Sequence, residues 1–270
     1  MPGAAPGPAP AALFDSHAHL TDERFATDLP AVLRRAAQAN VAEVLLPATD
    51  PEDAGRAREL AGTSFETAPR LLWSSGLHPH SAARWGPETS ARLEAELDRG
   101  AVAVGETGLD YHYEFAPRGA QREAFQAQAE LARARDLPLV VHSRAADVEI
   151  AEVLRASGLG AHRVILHSFS GGPDLLRAAL EEGWYVSFSG MATFKSFDPR
   201  PVAAVAPERL LLETDAPYLA PVPLRGKRNE PAFLGATLNR VADLRGIDPA
   251  EAAALTRANA RRVYKLAASP

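Results

Sequence analysis

Residues 137–171 read LPLVVHSRAADVEIAEVLRASGLGAHRVILHSFSG. Two short apolar runs, 138–141 and 163–166, enclose a helix-like stretch at 145–157, and each run ends on a histidine, His142 and His167. Both runs are nearly continuous rather than alternating, the pattern of parallel strands covered on both faces. Strand, helix, strand in this order is one β/α unit, and its two histidines leave neighbouring strands at the same end.

The unit recurs outward in both directions. Apolar runs stand at 13–16, 42–47, 71–77, 101–105, 184–188 and 209–212, making eight with the first two. Helix-like sequence fills most gaps, at 28–39, 51–61, 87–99, 118–136, 173–182 and 199–206, and the tail 231–266 reads as further helices. Asp28, Asp50-Pro51, Gly172-Pro173 and Asp248-Pro249 suit helix starts. Eight alternations without a composition break predict α/β architecture as a single (β/α)8 TIM barrel, for which 270 residues is an ordinary length. An open doubly wound sheet is the alternative, because periodicity cannot count closure. Residues 1–12, MPGAAPGPAPAA, read as a disordered Pro/Ala-rich leader without the basic and apolar regions of a signal peptide, and 13–270 as one barrel domain.

A hydrophobic content of 46% allows a full core, while a net charge of −5 excludes attraction of nucleic acid by the surface as a whole. Phosphate recognition would need local cations or metal ions. Cysteine is absent, so thiolate zinc sites and disulfides are excluded and His, Asp and Glu are the available ligands. No apolar run is long enough for a membrane helix, and the expected setting is the cytoplasm, as a monomer.

Active sites in such barrels gather at the C-terminal ends of the strands. Six metal-seeking side chains fall there: His17 and His19 after LFD, Glu106 after AVAVG, His142, His167, and Asp215 after LLLET. His-x-His on an extended chain points two imidazoles to one side. A Glu at the tip of an apolar strand is costly unless it meets donors or cations, and its two oxygens could bridge two ions. The alternative for Glu106 is a carboxylate satisfied by loop amides or an Arg, and for a lone histidine a structural hydrogen bond. Asp215 could also accept a proton from attacking water; otherwise DAPY is a polar turn. Glu213 is expected in a supporting role. The turn Ser168–Gly172 could bind an anion through its amides.

The chain resembles the TatD family of metal-dependent deoxyribonucleases, among the amidohydrolase-type barrels. The resemblance is carried by DSHAHL at 15–20, GLHPH at 76–80, GETGLDYHY at 105–113 and QREAFQAQAELA at 121–132. VVHSR at 140–144, LHSFSG at 166–171, SFSGMATFK at 187–195 and LLLETDAPYLAPVPLRGKRNEP at 210–231 complete it. It implies two divalent metal ions, Mg²⁺, Mn²⁺ or Zn²⁺. His17 and His19 with Asp215 would hold the first, His142 with His167 the second, and Glu106 would bridge them. It also implies hydrolysis of DNA phosphodiester bonds by a metal-activated water, as a 3′-5′ exonuclease on single-stranded ends. In that setting His78, Arg144, Lys195, Arg225 and Lys227 are expected to contact substrate, and Arg228 to shape the same loop. His80 is expected to be a loop residue, His112 a contact or a surface residue, and His162 remote from catalysis. Trp85 and Phe194 could stack on bases but are expected to pack. Hydrolysis of another ester or amide, such as D-aminoacyl-tRNA deacylation, is the alternative, and a non-catalytic scaffold the third.

Overall fold

The computed structural model describes residues 11–161 and 163–267. His162 and all but the last two residues of the expected leader lie outside these. Eight strands alternate with helices: β1 (Leu13–Asp15), β2 (Val41–Leu46), β3 (Arg70–Trp73), β4 (Val104–Asp110), β5 (Leu139–Arg144), β6 (Val164–Leu166), β7 (Tyr185–Phe188) and β8 (Leu210–Leu212). Helices α1 (Leu29–Gln38), α2 (Pro51–Gly62), α3 (Pro87–Asp98), α4 (Arg118–Arg135), α5 (Asp147–Ser157), α6 (Pro173–Glu182), α7 (Arg200–Ala204), α8 (Leu234–Arg245) and α9 (Pro249–Val263) follow them. Among the described residues, no helix is long and apolar enough to cross a membrane.

All the strand pairs are parallel, in two ladders of three and five. Two parallel bridges, Ser75 with Val104 and Ala18 with Ala216, join the ladders. Around the first seam Ser75 N donates to Ala103 O at 3.0 Å and Gly105 N to Ser75 O at 2.9 Å. Around the second, Ser16 N donates to Leu212 O at 3.0 Å and Asp215 N to His17 O at 2.9 Å. The sheet therefore closes on itself as an eight-stranded barrel, and the open-sheet alternative is excluded.

Side chains alternate along each strand, so every second residue points inward. One inward layer takes one residue from each wall: Phe14, Leu45, Leu72, Ala103, Val140, Ile165, Tyr185 and Leu211. The end of α9 plugs the N-terminal mouth below this layer with Ala260, Val263 and Tyr264, the last stacked on Phe14 at 5.7 Å. There too, buried Glu43 takes Arg257 Nε at 2.9 Å and pairs with Arg261, so its charge is matched. The larger cluster, including Leu13, Leu46, Leu139, Val141, Leu166 and Leu212, lies between strands and helices.

Two residues above the inward layer come His142, His167, Ser187 and Glu213. The same alternation that buries Val140 and Ile165 thus aims the two histidines into the barrel mouth. The fourth wall departs from the expected strand at 101–105. Its apolar part is tied irregularly to β3, and the ladder to β5 runs through the polar GETGLD, with a register shift between Val104 and Thr107. Gly108 has φ +138°, and a Cβ there would overlap the His142 carbonyl, so only glycine lets β4 and β5 approach. The third strand ends at Trp73 rather than residue 77, because His78 to Arg84 turn into a 3-10 helix capped by the His78 ring. Asp50 and Asp248 cap α2 and α9 as expected, whereas Asp28 makes no cap bond and instead binds Arg228.

Candidate metal centre

Glu106 lies at the centre of the barrel mouth, buried. Its Oε2 is 3.3 Å from His17 Nε2 and 3.6 Å from His19 Nε2. Its Oε1 is 2.9 Å from His167 Nε2, 3.0 Å from His142 Nδ1 and 3.4 Å from His78 Nε2. Asp215 Oδ1 closes the first side at 3.5 Å from His19 Nε2 and 3.9 Å from His17 Nε2. All six expected ligands meet in one place, delivered by strands from around the whole barrel. The backbone of Asp215 has φ +56°, a left-handed conformation that a non-glycine residue holds only where its surroundings demand it.

Three groupings place donor atoms within 4.8 Å of one another: His17, His19 and Glu106; His17, His167 and Asp215; His78, Glu106 and His142. His78, expected as a substrate contact, is thus positioned as a donor. His80, expected as a mere loop residue, instead binds Asp110 Oδ2 at 2.9 Å through Nε2 and lines the cleft.

Asp110 and Glu213 stand behind the donors. Asp110 Oδ2 is 3.2 Å from His142 Nε2, and its Oδ1 accepts the amides of His112 and Tyr113, each at 3.0 Å. Glu213 Oε1 is 3.3 Å from His167 Nδ1, the supporting role expected of it. Asp110 was missed; its one signal is position, a carboxylate four residues past Glu106 in a strand that does not look like one.

Charge in the pocket is tightly balanced. Burial opposes ionisation of Glu106, yet His167, His78 and His142 hold its carboxyl well below the ordinary range. Burial likewise opposes charge on His167, but Glu106 and then Glu213 hold it well above the usual imidazole value. Burial pushes His78 down to about 4 against the pull of Glu106. His17 is lowered by burial and by its neighbour His167, whose ring stacks on it at 4.0 Å. His17 Nε2 also faces His19 Nε2 at 3.1 Å, where two imidazole nitrogens cannot both donate. Converging imidazoles around a buried carboxylate form a donor set that fits divalent cations.

The centre opens into a cleft of about 1110 Å³. Arg56 and Arg144 are its basic lining residues, with Tyr113 and Tyr218 on opposite walls. Lys195 and Lys227 are exposed and stand outside that lining, as does Arg225, whose guanidinium lies 4.5 Å over Phe194. Arg228 is committed elsewhere, with both terminal nitrogens 2.8 Å from Asp28. The expected anion turn is also engaged, since the Gly172 amide donates to Asp147 at 2.5 Å. Trp85 is partly buried and packs against the cluster of Leu77, Ala82, Leu93, Ala116 and Ala124, as expected.

Comparison with known proteins identifies the family of the chain. The family described as TatD related DNase matches residues 14–265. The metal-dependent hydrolase YabD of Bacillus subtilis is 35% identical over 94% of this chain and 99% of its own length. The 3′-5′ ssDNA/RNA exonuclease TatD of Erwinia tasmaniensis is 37% identical over 94% of this chain and 100% of its own. The crystal structure of the TatD homologue YjjV from Escherichia coli K12 superposes with a TM-score of 0.87 at 28% identity, covering 94% of this chain and 98% of that one. The chain belongs to the TatD-related DNase family and is a metal-dependent hydrolase.

Proposed function

We propose that this protein removes nucleotides from the 3′ ends of single-stranded nucleic acid by hydrolysing phosphodiester bonds with two divalent ions. The observation that carries the proposal is the division of Glu106, one oxygen facing His17 and His19 and the other facing His142, His167 and His78. His17, His19 and Asp215 would hold one ion, His142, His167 and His78 the other, with Glu106 shared. Five imidazoles against two carboxylates suit zinc or manganese better than magnesium, which prefers oxygen ligands. Such ions, when bound, supply Lewis acidity to a phosphoryl oxygen and lower the pKa of water.

The chain's own residues do the rest. Asp215, a lining residue of the cleft beside His19, accepts the proton of the attacking water. Arg144 on the wall neutralises a substrate phosphate. Asp110 and Glu213 hold the rings of His142 and His167 in place. Nucleic acid as substrate is supported by the named activity of the Erwinia relative and by an open cleft of about 1110 Å³ with Arg56 and Arg144 in its lining.

The test uses metal-stripped protein with Mg²⁺, Mn²⁺ or Zn²⁺ restored separately, on single-stranded DNA labelled at its 3′ or 5′ end. The 5′-labelled strand should shorten in single-nucleotide steps. Absence of cleavage with every ion would refute the proposal; hydrolysis of another ester, such as D-aminoacyl-tRNA, would reassign the same centre.

A further inference from the structure

Beyond the donor cluster, the side of the cleft carrying His80 and His142 continues into a group of exposed rings. Tyr113 is 48% exposed and Phe115 69%, large values for aromatic side chains in a molecule with an ample core. Their rings are parallel, 5.5 Å apart at an interplanar angle of 5°. His80 presents its edge to both, at 5.8 Å from Tyr113 and 4.7 Å from Phe115. The same His80 binds Asp110, which in turn holds His142, so the ring pair is mechanically continuous with the candidate centre. The Arg144 guanidinium lies 4.7 Å over Tyr113. Tyr113, His80 and Arg144 all line the cleft.

We propose that Phe115, backed by the parallel ring of Tyr113, is a stacking platform for an unpaired base of the substrate, with Arg144, which lies over Tyr113, available for the adjoining phosphate. This inference rests on the nucleic-acid proposal above and names the feature that selects single strands. A base has two flat faces, and in a duplex both are already covered by neighbours; an unpaired base can lay one on an exposed ring. A strand whose phosphate lies at Glu106 can place a neighbouring base on this pair. Stacking reads neither sequence nor the 2′-hydroxyl, so the platform serves DNA and RNA alike. Among the other aromatic candidates Trp85 is packed, Phe194 carries Arg225, and Tyr218 on the cleft wall carries Arg24 at 4.4 Å, whereas among the described residues no cation lies over Phe115.

Steady-state cleavage by the metal-loaded protein tests the platform on two strands of equal length, oligothymidine and the same backbone built of stable abasic residues. Phe115→Ala should raise KM for oligothymidine about fivefold or more, the size of one lost base–aromatic stack. Phe115→Leu, which keeps apolar bulk without a π face, should behave like Phe115→Ala, whereas Phe115→Trp should stay near wild type. On the abasic strand all of these proteins should share one elevated KM. Wild-type KM for oligothymidine in Phe115→Ala, rescue by leucine, or an equal further loss on the abasic strand would overturn the platform while leaving the nuclease proposal standing. Failure of the wild-type protein to cleave either strand with any ion would instead remove the nuclease proposal, and the platform with it.

Discussion

Replacing Asp110 by asparagine tests whether the carboxylate behind His142 sets the strength of the metal site. The substitution keeps size and shape. Its amide oxygen can still accept the His112 and Tyr113 amides, now served by Oδ1 at 3.0 Å. The amide nitrogen must then face His142 Nε2 and His80 Nε2, which stand 3.2 and 2.9 Å from Oδ2. An NH₂ group cannot accept from either ring, so both charge-assisted bonds are lost and His142 is free to rotate or change tautomer. Outer partners of metal-bound histidines typically contribute about 10–100-fold in metal affinity, or about 1.4–2.8 kcal/mol. Calorimetric titration of the metal-stripped variant with Zn²⁺ or Mn²⁺ should show that loss confined to one of two sites. Thermal unfolding of the metal-stripped proteins serves as the control for folding. Wild-type affinity at both sites in a folded variant would refute the reasoning and make Asp110 a loop anchor only.

Arg144→Ala should weaken single-stranded DNA binding and reduce the slope of log K against log salt by about one unit, as expected for one lost phosphate contact; an unchanged slope would place the guanidinium away from phosphate. Tyr264→Ala should open the plug under Phe14 and lower stability by about 3–5 kcal/mol, measured by urea unfolding, with loss below that range showing that α9 does not seal the barrel. Metal should stabilise the fold by about 2.7 kcal/mol at a free concentration one hundred times its Kd, so chelation should lower the melting temperature; coincident melts would mean that the ions bind folded and unfolded chains alike.

Much of this molecule is legible in the chain because strand alternation does two jobs at once. Val140 and Ile165 mark the inward face, and the same period carries His142 and His167 into the mouth, so pattern and chemistry point to one end. GETGLD misleads for the opposite reason: glycines and polar residues do not look like a strand, yet close packing of β4 on β5 requires Gly108. Barrel closure depends on the bridges of Ser75 and Ala18, which lie past the ends of β3 and β1, and periodicity does not say which strands they join. The RGKR loop shows a further limit, since Arg228 finds Asp28 across 200 residues of sequence. No local pattern separates it from Arg225 or Lys227. His78 lies past its strand in a turn, so its approach to Glu106 depends on the fold of another wall.

The bridge through Glu106 is the central claim, and electron paramagnetic resonance of Mn²⁺-loaded protein reads it directly. Wild-type protein should bind two ions per chain and give the spectrum of a spin-coupled pair. Folded Glu106→Ala should lose the coupling and at least one ion. Two coupled ions retained in that variant, or a single ion in the wild type, would contradict the account.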